Sequence, residues 1–379
     1  MAVKRLKVGL IGLGYIGKIH ATAYRSIPLC FSEAPVVAEL AAVLRSRVDT
    51  EDVLTREIGF ALASQDREEF FRQPLDLVDI CTPNFLHKEQ IEEALSRDLP
   101  VYCEKPLARD LEEARAVAEL ARRRGALTHV AFVLRYLPAI RQMKALIEAG
   151  EIGEVFNCRA HMFHSGYLDT ERPMSWRLRR AESGGGALAD LGSHLIDLVY
   201  YLLGEAASVR ALTRTLVMDR PSARGSSDRE RVDVDDWAHC LLELKAGAVC
   251  ALEVTRMAAG AGEATSLEIF GSRGALAFHI HEPESVRHYD LRKSRWSQGA
   301  IDVPAAAGER PIGQLWPSGK YSQGLMVNAH MAAAYDFLQC VAEGKPSRLD
   351  FRAGLAVQEV LEAAYLSAAH NGEPIVLPL

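Results

Sequence analysis

The sequence of 379 residues has no long hydrophobic run, no excess of positive charge, no paired cysteine motif and no low-complexity tract. No apolar stretch approaches the roughly 20 residues of a membrane-spanning helix. A net charge of −6 removes the electrostatic case for nucleic acid or an anionic membrane surface. Seven cysteines (Cys30, Cys81, Cys103, Cys158, Cys240, Cys250, Cys340) are scattered without a C-x-x-C. An odd, scattered set reads as reduced, mostly buried thiols in a cytoplasm, not as a disulfide frame or a zinc site. Met1–Lys7 leads straight into an apolar run, so no signal peptide is expected. Aromatic residues are few, at 7%, but 49% apolar and 25% charged residues suffice for an ordinary globular core. The length suggests two or three domains.

What is present begins with Val8–His20, V-G-L-I-G-L-G-Y-I-G-K-I-H. The apolar run Val8–Ile11 stops at Gly12, and Gly14 and Gly17 complete G-x-G-x-x-G. Ile16, Ile19 and Ala23 then share one side of a helix. A strand, a glycine turn and a helix start form the phosphate cradle of a dinucleotide fold. Gly12 allows the tight turn, Gly14 lets a pyrophosphate approach the backbone, and Gly17 lets the helix pack on the strand. Tyr15 and Ile16 open the helix, whose unpaired N–H groups face the phosphates. The second strand, near Ala38–Leu44, ends in Arg45-Ser46-Arg47, where a typical NAD site carries an acid for the ribose hydroxyls. Two guanidinium groups flanking a hydroxyl suit a phosphate monoester, which favours NADP. The alternative is two solvated arginines, with Asp49 or Glu51 on the ribose and NAD as the cofactor.

Apolar runs at Leu77–Cys81, Val101–Cys103 and Thr128–Val133 alternate with helical patterns at His87–Ser96 and Leu111–Arg124. Strand–helix alternation over about 130 residues implies a doubly wound parallel sheet. Loops at the carboxyl ends of such strands line the ligand crevice. Thr82-Pro83-Asn84 with His87, and Glu104-Lys105-Pro106, occupy those places. On its own, Lys105 reads equally well as a solvated strand-end lysine beside Glu104.

A helix at Pro138–Ala149 leads to a strand at Glu154–Phe163, which opens a second domain, 131–379. Ser165–Ser183 has no period and carries Tyr167, Asp169, Arg172, Trp176, Arg177, Arg179 and Arg180. It is either a substrate rim or an ordinary mobile loop. Three glycines at Gly184–Gly186 bend the chain into a helix that Gly204 ends. Leu188, Leu191, Leu195, Leu198 and Leu202 form its buried stripe. Asp190, His194, Asp197 and Tyr201 fall at i, i+4, i+7 and i+11 on another face. A carboxylate one turn from an imidazole raises its basicity and orients the ring, as a hydroxyl-deprotonating base requires. On spacing alone, a polar helix face with a local Asp–His bond is the simpler reading.

After Gly204, alternating runs at Val209–Val217, Ala238–Leu244, Ala248–Val254, Ser266–Phe270 and Ala275–Ile280 predict hairpins in a mostly antiparallel sheet. Val286–Gln323 reads as irregular, and helices are expected at Met326–Ala342 and Phe351–Ala369. Few helices remain to cover a second sheet face, so that face is expected to associate. His161, His164, His279, His281 and His288 fall in separate strands or loops without a Cys or carboxylate set, so no metal is expected. His164 remains a candidate substrate contact.

Four motifs occur in order: G-x-G-x-x-G-x-x-H at Gly12–His20, T-P-N-x-x-H at Thr82–His87, E-K-P at Glu104–Pro106 and D-x-G-x-H at Asp190–His194. Together they resemble the glucose–fructose oxidoreductase / inositol dehydrogenase / rhizopine catabolism (Gfo/Idh/MocA) family, over nearly the whole chain. The resemblance implies an α/β fold: an N-terminal Rossmann domain, 1–130, and a C-terminal α+β domain with a large, mostly antiparallel sheet. It implies hydride transfer between nicotinamide, as NADP or NAD, and a secondary alcohol or ketone of a sugar or cyclic polyol. Lys105 would lie beside the nicotinamide and the substrate oxygen, with Asp190 and His194 as the other catalytic groups. Thr82, Pro83, Asn84, His87 and Glu104 would line the cofactor. Arg135 and Tyr136 of F-V-L-R-Y-L-P, with His164, Trp176 and Arg177, would meet substrate. Homodimers or homotetramers would form through the sheet. Two other activities occur in similar proteins: NAD-dependent glycosidic cleavage by transient oxidation, and cofactor sensing without catalysis. Intact Lys105, Asp190 and His194 argue against the sensor.

Overall fold

Val8, Leu10 and Ile11 are buried because their strand lies inside a sheet covered on both faces. The structure, a computed structural model, describes residues 3–46, 53–300 and 305–379, apart from the side chains of 53, 54 and 56. The chain divides into two compact units: 1–108, 112–136 and 310–355 form the first, and 109–111, 137–309 and 356–379 the second.

The first unit alternates strands and helices. They are β1 (Lys4–Ile11), α1 (Tyr15–Cys30), β2 (Val36–Leu44), α2 (Val53–Ile58), β3 (Leu62–Ser64), α3 (Arg67–Phe71), β4 (Leu77–Ile80), α4 (His87–Ser96), β5 (Val101–Cys103), α5 (Leu111–Arg124) and β6 (Thr128–Val130). Six parallel strands run in the order β3-β2-β1-β4-β5-β6. The order reverses at β1, the switch point beside which ligands bind in such sheets. The elements α2, β3 and α3 are six residues or fewer, too short to show a period in sequence.

The second unit is built on a larger sheet. Its elements are α6 (Pro138–Glu148), β7 (Val155–His164), α7 (Arg180–Ser183), a π turn (Leu188–Gly192), α8 (Ser193–Leu203), β8 (Ala206–Arg214), β9 (Asp219–Pro221), β10 (Arg229–Arg231), β11 (Trp237–Leu244), β12 (Val249–Thr255), β13 (Glu263–Gly271), β14 (Gly274–His279), β15 (Val286–Asp290) and β16 (Arg295–Gly299). The chain then gives α9 (Leu325–Glu343) to the first unit, where it packs on α1, β1 and β2. Phe31 stacks on Tyr335 there, with ring centroids 4.9 Å apart. Helix α10 (Phe351–Ala369) starts in the first unit and ends in the second, and β17 (Ile375–Val376) closes the large sheet's edge.

That sheet runs β16-β15-β14-β13-β7-β12-β11-β8-β17, antiparallel except where β7 meets β12. Helices α6 and α8 pack against it. Cys158, Ala160, Cys240, Leu242, Leu252 and Val254 are buried, while alternate residues point to the other face, as period 2 requires. The expectation that Val286–Gln323 is irregular is corrected by β15 and β16. β15 does alternate, but over only five residues. β16 is an exposed edge strand whose Trp296 packs on Tyr289, 5.4 Å between centroids.

Candidate active site

In the first unit the glycine turn does what its composition predicts. Gly12 follows β1 with φ +94, the left-handed region open to glycine. A Cβ there would sit 2.9 Å from Thr82 Cγ2, which brings the two strand-end loops together. A Cβ on Gly17 would overlap the Gly12 carbonyl oxygen, so only glycine lets α1 start this close to β1. At Gly14 the opposite holds: among the described residues, nothing lies within 4 Å of where a Cβ would stand. That open flank at a helix N-terminus, with no acid in the first turn of α1, fits a pyrophosphate. Tyr15 opens the helix and is 73% exposed, and Ile16 is half-buried.

β2 ends at Leu44, so Arg45 is the first residue past the strand. Arg45 is half-buried and its Nη1 donates to Thr55 Oγ1 at 2.9 Å, while Ser46 is exposed. Arg47, with the alternative ribose partners Asp49 and Glu51, lies outside the described residues. In the loop after β4, the Thr82 hydroxyl donates to Gln90 Oε1 at 2.7 Å, Pro83 is half-buried and Asn84 is buried. His87 is wholly buried. Its ring nitrogens face the carbonyls of Pro106, 3.1 Å, and Thr82, 2.9 Å. Burial lowers its pKa, so it is a neutral pin between the Thr-Pro-Asn loop and the Glu-Lys-Pro turn.

Beneath that turn lies a charged cluster. His20 of α1 donates from Nδ1 to Asp79 Oδ2 at 2.9 Å and from Nε2 to Glu104 Oε1 at 3.0 Å. All three are buried. Burial, the largest single influence, favours the neutral imidazole, but Asp79 and Cys81 together act against it and leave the pKa well above the ordinary value. Burial likewise opposes the Glu104 charge, and the bond and charge of His20, with the positive charges nearby, together overcome it and take that pKa down to about 2. The second Glu104 oxygen accepts the Lys105 N–H at 3.0 Å. Lys105 follows at the carboxyl end of β5, half-buried. His330 of α9 stands with its ring 4.7 Å from that of His20. Burial, with the neighbouring His20, lowers its pKa to about 3. His20, Glu104 and His330, or His20, Asp79 and Cys81, are close enough to hold a metal. Both His20 nitrogens already serve carboxylates, which makes the cluster an ion-pair network.

In the second unit the glycine run is required by close packing. A Cβ on Gly185 would overlap the Tyr365 hydroxyl, and one on Gly186 the Asp235 backbone. The Asp235 carboxylate accepts Gly186 N–H at 2.9 Å, Leu188 N–H at 2.8 Å and Tyr365 O–H at 2.8 Å. It thereby caps the helical segment that carries Asp190 and His194. The regular helix expected there is corrected at Leu188–Gly192, which forms a π turn. Such turns are rare and occur mostly at functional sites. Asp190 lies in it and His194 one residue into α8, half-buried. Arg256, just past β12, donates from Nη2 to Asp190 Oδ2 at 3.1 Å and to the Gly186 carbonyl at 3.0 Å. Burial works most strongly against the Arg256 charge, and Asp190, with smaller help from Tyr167, Asp235 and Tyr365, more than restores it. Its guanidinium also lies over the Tyr167 ring, 4.8 Å from the centroid.

The remaining substrate candidates divide between the units. Tyr136 is buried in the first, its hydroxyl donating to Asp336 at 2.8 Å, and Arg135 beside it is half-buried. In the second, His164 ends β7 half-buried, and Arg177 lies over the Trp176 ring at 4.3 Å. Sequence reasoning missed Asp79, His330, Arg256 and Asp235. The signals were present: an acid inside the apolar run L-V-D-I-C, a histidine in an alanine-rich helix, and buried charges at strand ends.

A glycine cradle, a switch-point sheet and a strand-end lysine define a nicotinamide-dependent oxidoreductase. The NAD-binding Rossmann-fold model of the oxidoreductase family matches residues 6–132, and the GFO/IDH/MocA C-terminal domain matches 140–277. The chain belongs to the Gfo/Idh/MocA family. It is 31% identical to the levoglucosan dehydrogenase of Pseudarthrobacter phenanthrenivorans, over 97% of both chains. It is 28% identical to the glucose-6-phosphate 3-dehydrogenase of Bacillus subtilis, over 97% of this chain and 98% of that one. The solved levoglucosan dehydrogenase complex with NADH and L-sorbose superposes with a TM-score of 0.90 at 30% identity, covering 99% of this chain and all of the other. These relatives are sugar dehydrogenases, acting on CH–OH groups. Among the described residues no helix is long and apolar enough to cross a membrane.

Proposed function

We propose that this chain is a cytoplasmic dehydrogenase of a sugar or cyclic polyol, working as a homodimer or homotetramer and preferring NADP to NAD. The observation that carries the reading is a half-buried lysine, Lys105, at the carboxyl end of β5, on a sheet edge shared with an open glycine cradle. When bound, the dinucleotide supplies the hydride acceptor or donor. The N–H groups at the start of α1 hold its pyrophosphate. Lys105 hydrogen-bonds the substrate oxygen and stabilises alkoxide charge as it develops. His194 takes or gives the hydroxyl proton. Asp190, anchored by Arg256, orients His194 or binds a neighbouring hydroxyl.

The NADP preference rests on Arg45 following Leu44 directly, with no acid at the described strand end. Six of seven cysteines are buried and all are free, which suits a reducing cytoplasm. The outward face of the large sheet, with Leu212 and Val249 exposed among charged side chains, is the surface for a second copy. The function is tested with levoglucosan, glucose, glucose 6-phosphate, sorbose and inositols, each with NAD and NADP, following reduced-nicotinamide absorbance. Net reduction of one cofactor by one sugar or polyol is expected. Glycoside cleavage without net cofactor turnover would replace the dehydrogenase with a hydrolase.

A further inference from the structure

The Asp79–His20–Glu104 cluster takes no part in the proton and hydride steps, yet it is a buried, charged group of the first unit. Its members come from three elements: α1, β4 and the residue after β5. We propose that His20 is a positioning residue for hydride transfer, a buried imidazolium that ties the helix of the glycine cradle to the Glu-Lys-Pro turn and so fixes Lys105. The proposal rests on the reading of Lys105 as a catalytic group.

The geometry argues this in steps. Two carboxylates taken out of water need a cation between them. His20 supplies it, with one ring nitrogen for each, at 2.9 and 3.0 Å. That leaves Glu104 Oε2 committed to the Lys105 N–H at 3.0 Å, the last backbone donor before the proline. The carboxylate is thus locked from one side by His20 and locks the lysine backbone on the other. The groups facing the imidazole are Asp79 and Cys81 from the β4 end, Tyr102 and Glu104 from the β5 end, His330 from α9, and Tyr24 and the Lys105 charge nearby. Burial, then Asp79, keeps Tyr24 protonated, and burial keeps Tyr102 and Cys81 so as well. His330 is neutral, with Nδ1 3.9 Å from Glu104 Oε1. No second cation from these groups reaches Asp79, so the imidazolium is what neutralises the pair.

The first readout needs no turnover. Histidine ring-nitrogen resonances of the full chain, with His20 identified by His20→Gln, are followed from pH 6 to 9. Protons on both ring nitrogens at pH 7 are expected; a neutral His20 ring at that pH overturns the proposal. The second is kinetic, on the substrate that the sugar and polyol assays identify. His20→Gln and Glu104→Gln should each lower kcat about 10- to 100-fold, the scale of a small misplacement of a reacting group. The double variant should be no slower than either single one, because both break the same link. Fluorescence titration of His20→Gln, which replaces no cofactor-lining residue, should show affinity for the reduced dinucleotide within about threefold of wild type, since an effect confined to Lys105 leaves the cradle intact. Additive losses, a wild-type kcat in His20→Gln, or a tenfold loss of nucleotide affinity would each refute it. Lys105→Met is measured alongside. An inactive Lys105→Met with a fully active His20→Gln removes the positioning role and leaves the lysine; an active Lys105→Met removes the catalytic lysine itself. If His20→Gln does not fold, Asp79→Asn and Glu104→Gln open the link from its two ends, with the thermal midpoint reporting the fold.

Discussion

Each unit anchors a side chain proposed for catalysis with a buried charge, but by different chemistry. In the first, an imidazole lies between two carboxylates and one of them holds the Lys105 backbone. In the second, a guanidinium holds Asp190 and the glycine turn before it. An imidazole stays charged only while its surroundings keep its proton on; a guanidinium never gives it up. The first anchor is therefore open to pH and the second is not. Shape differs too. The arginine's fork meets a carboxylate and a backbone carbonyl at once, so it fixes a turn as well as a charge.

The sharpest test of that comparison is at the anchored groups. Lys105→Ala and His194→Ala should each lower kcat about 10²- to 10⁴-fold while reduced nucleotide still binds in a fluorescence titration. Near-native turnover by both would mean that the anchors hold nothing catalytic. One step back, Arg256→Met should lower kcat about 10- to 100-fold, and Arg256→Lys should recover part of it by restoring charge without the fork. Full recovery by lysine would make charge alone sufficient and weaken the distinction between the two anchors. Arg45→Asp concerns only the first unit. Wild type should bind NADP more tightly than NAD, and the variant should reverse the order by about tenfold, the worth of one charge-assisted bond. Tighter NAD binding by wild type would place the arginine in solvent.

The pH prediction follows from two opposite shifts. The folded His20 pKa lies well above 6.5, so its contribution is complete below about 6.5 and drains away as pH rises through the folded value. Glu104 falls from 4.5 to about 2, so its contribution is complete above 4.5 and is lost as pH falls toward 2. The gap in thermal midpoint between wild type and His20→Gln should peak between about pH 4.5 and 6.5 and shrink on both sides. The gap between wild type and Arg256→Lys should stay level across the same range. A level gap for both variants would erase the contrast. Leu212→Glu with Val249→Glu on the large sheet should have the smallest effect on turnover but lower the mass seen by light scattering. A wild type already monomeric at micromolar concentration would show that this face does not bind a second copy.

Much of the candidate site was legible in the order of residues alone. Gly12, Gly14 and Gly17 announce their turn because the required backbone is local, whereas the run that ends two residues before Lys105 gives only its place at a strand end, and the family resemblance singles it out. His20 was visible as a letter in a motif, but its partners Asp79 and Glu104 were not. The stretch Ser165–Ser183 stayed ambiguous because an irregular segment has no period to read. In the structure Arg220, fully buried, donates to the carbonyls of Asp169 and Tyr167 at 2.7 Å each, so part of that segment is fastened from β9. The π turn at Asp190 could not be read either, since A-L-A-D-L-G at Ala187–Gly192 suits the start of an α-helix as well.

The sequence by itself determined the elements that depend on neighbours along the chain: the glycine turn, the alternation of strand and helix, the alternating pattern of the later strands, and which residue types stand at their ends. Only the tertiary structure decided which charges meet. His20 is 59 residues from Asp79 and 84 from Glu104, and Arg256 is 66 from Asp190. Each pairing follows from the order in which strands assemble, and from α9 returning to the first unit after the large sheet. Periodicity tells a residue whether it faces inward; it carries no address for the partner it finds there, because burial is set by local pattern and pairing by the packing of the whole chain.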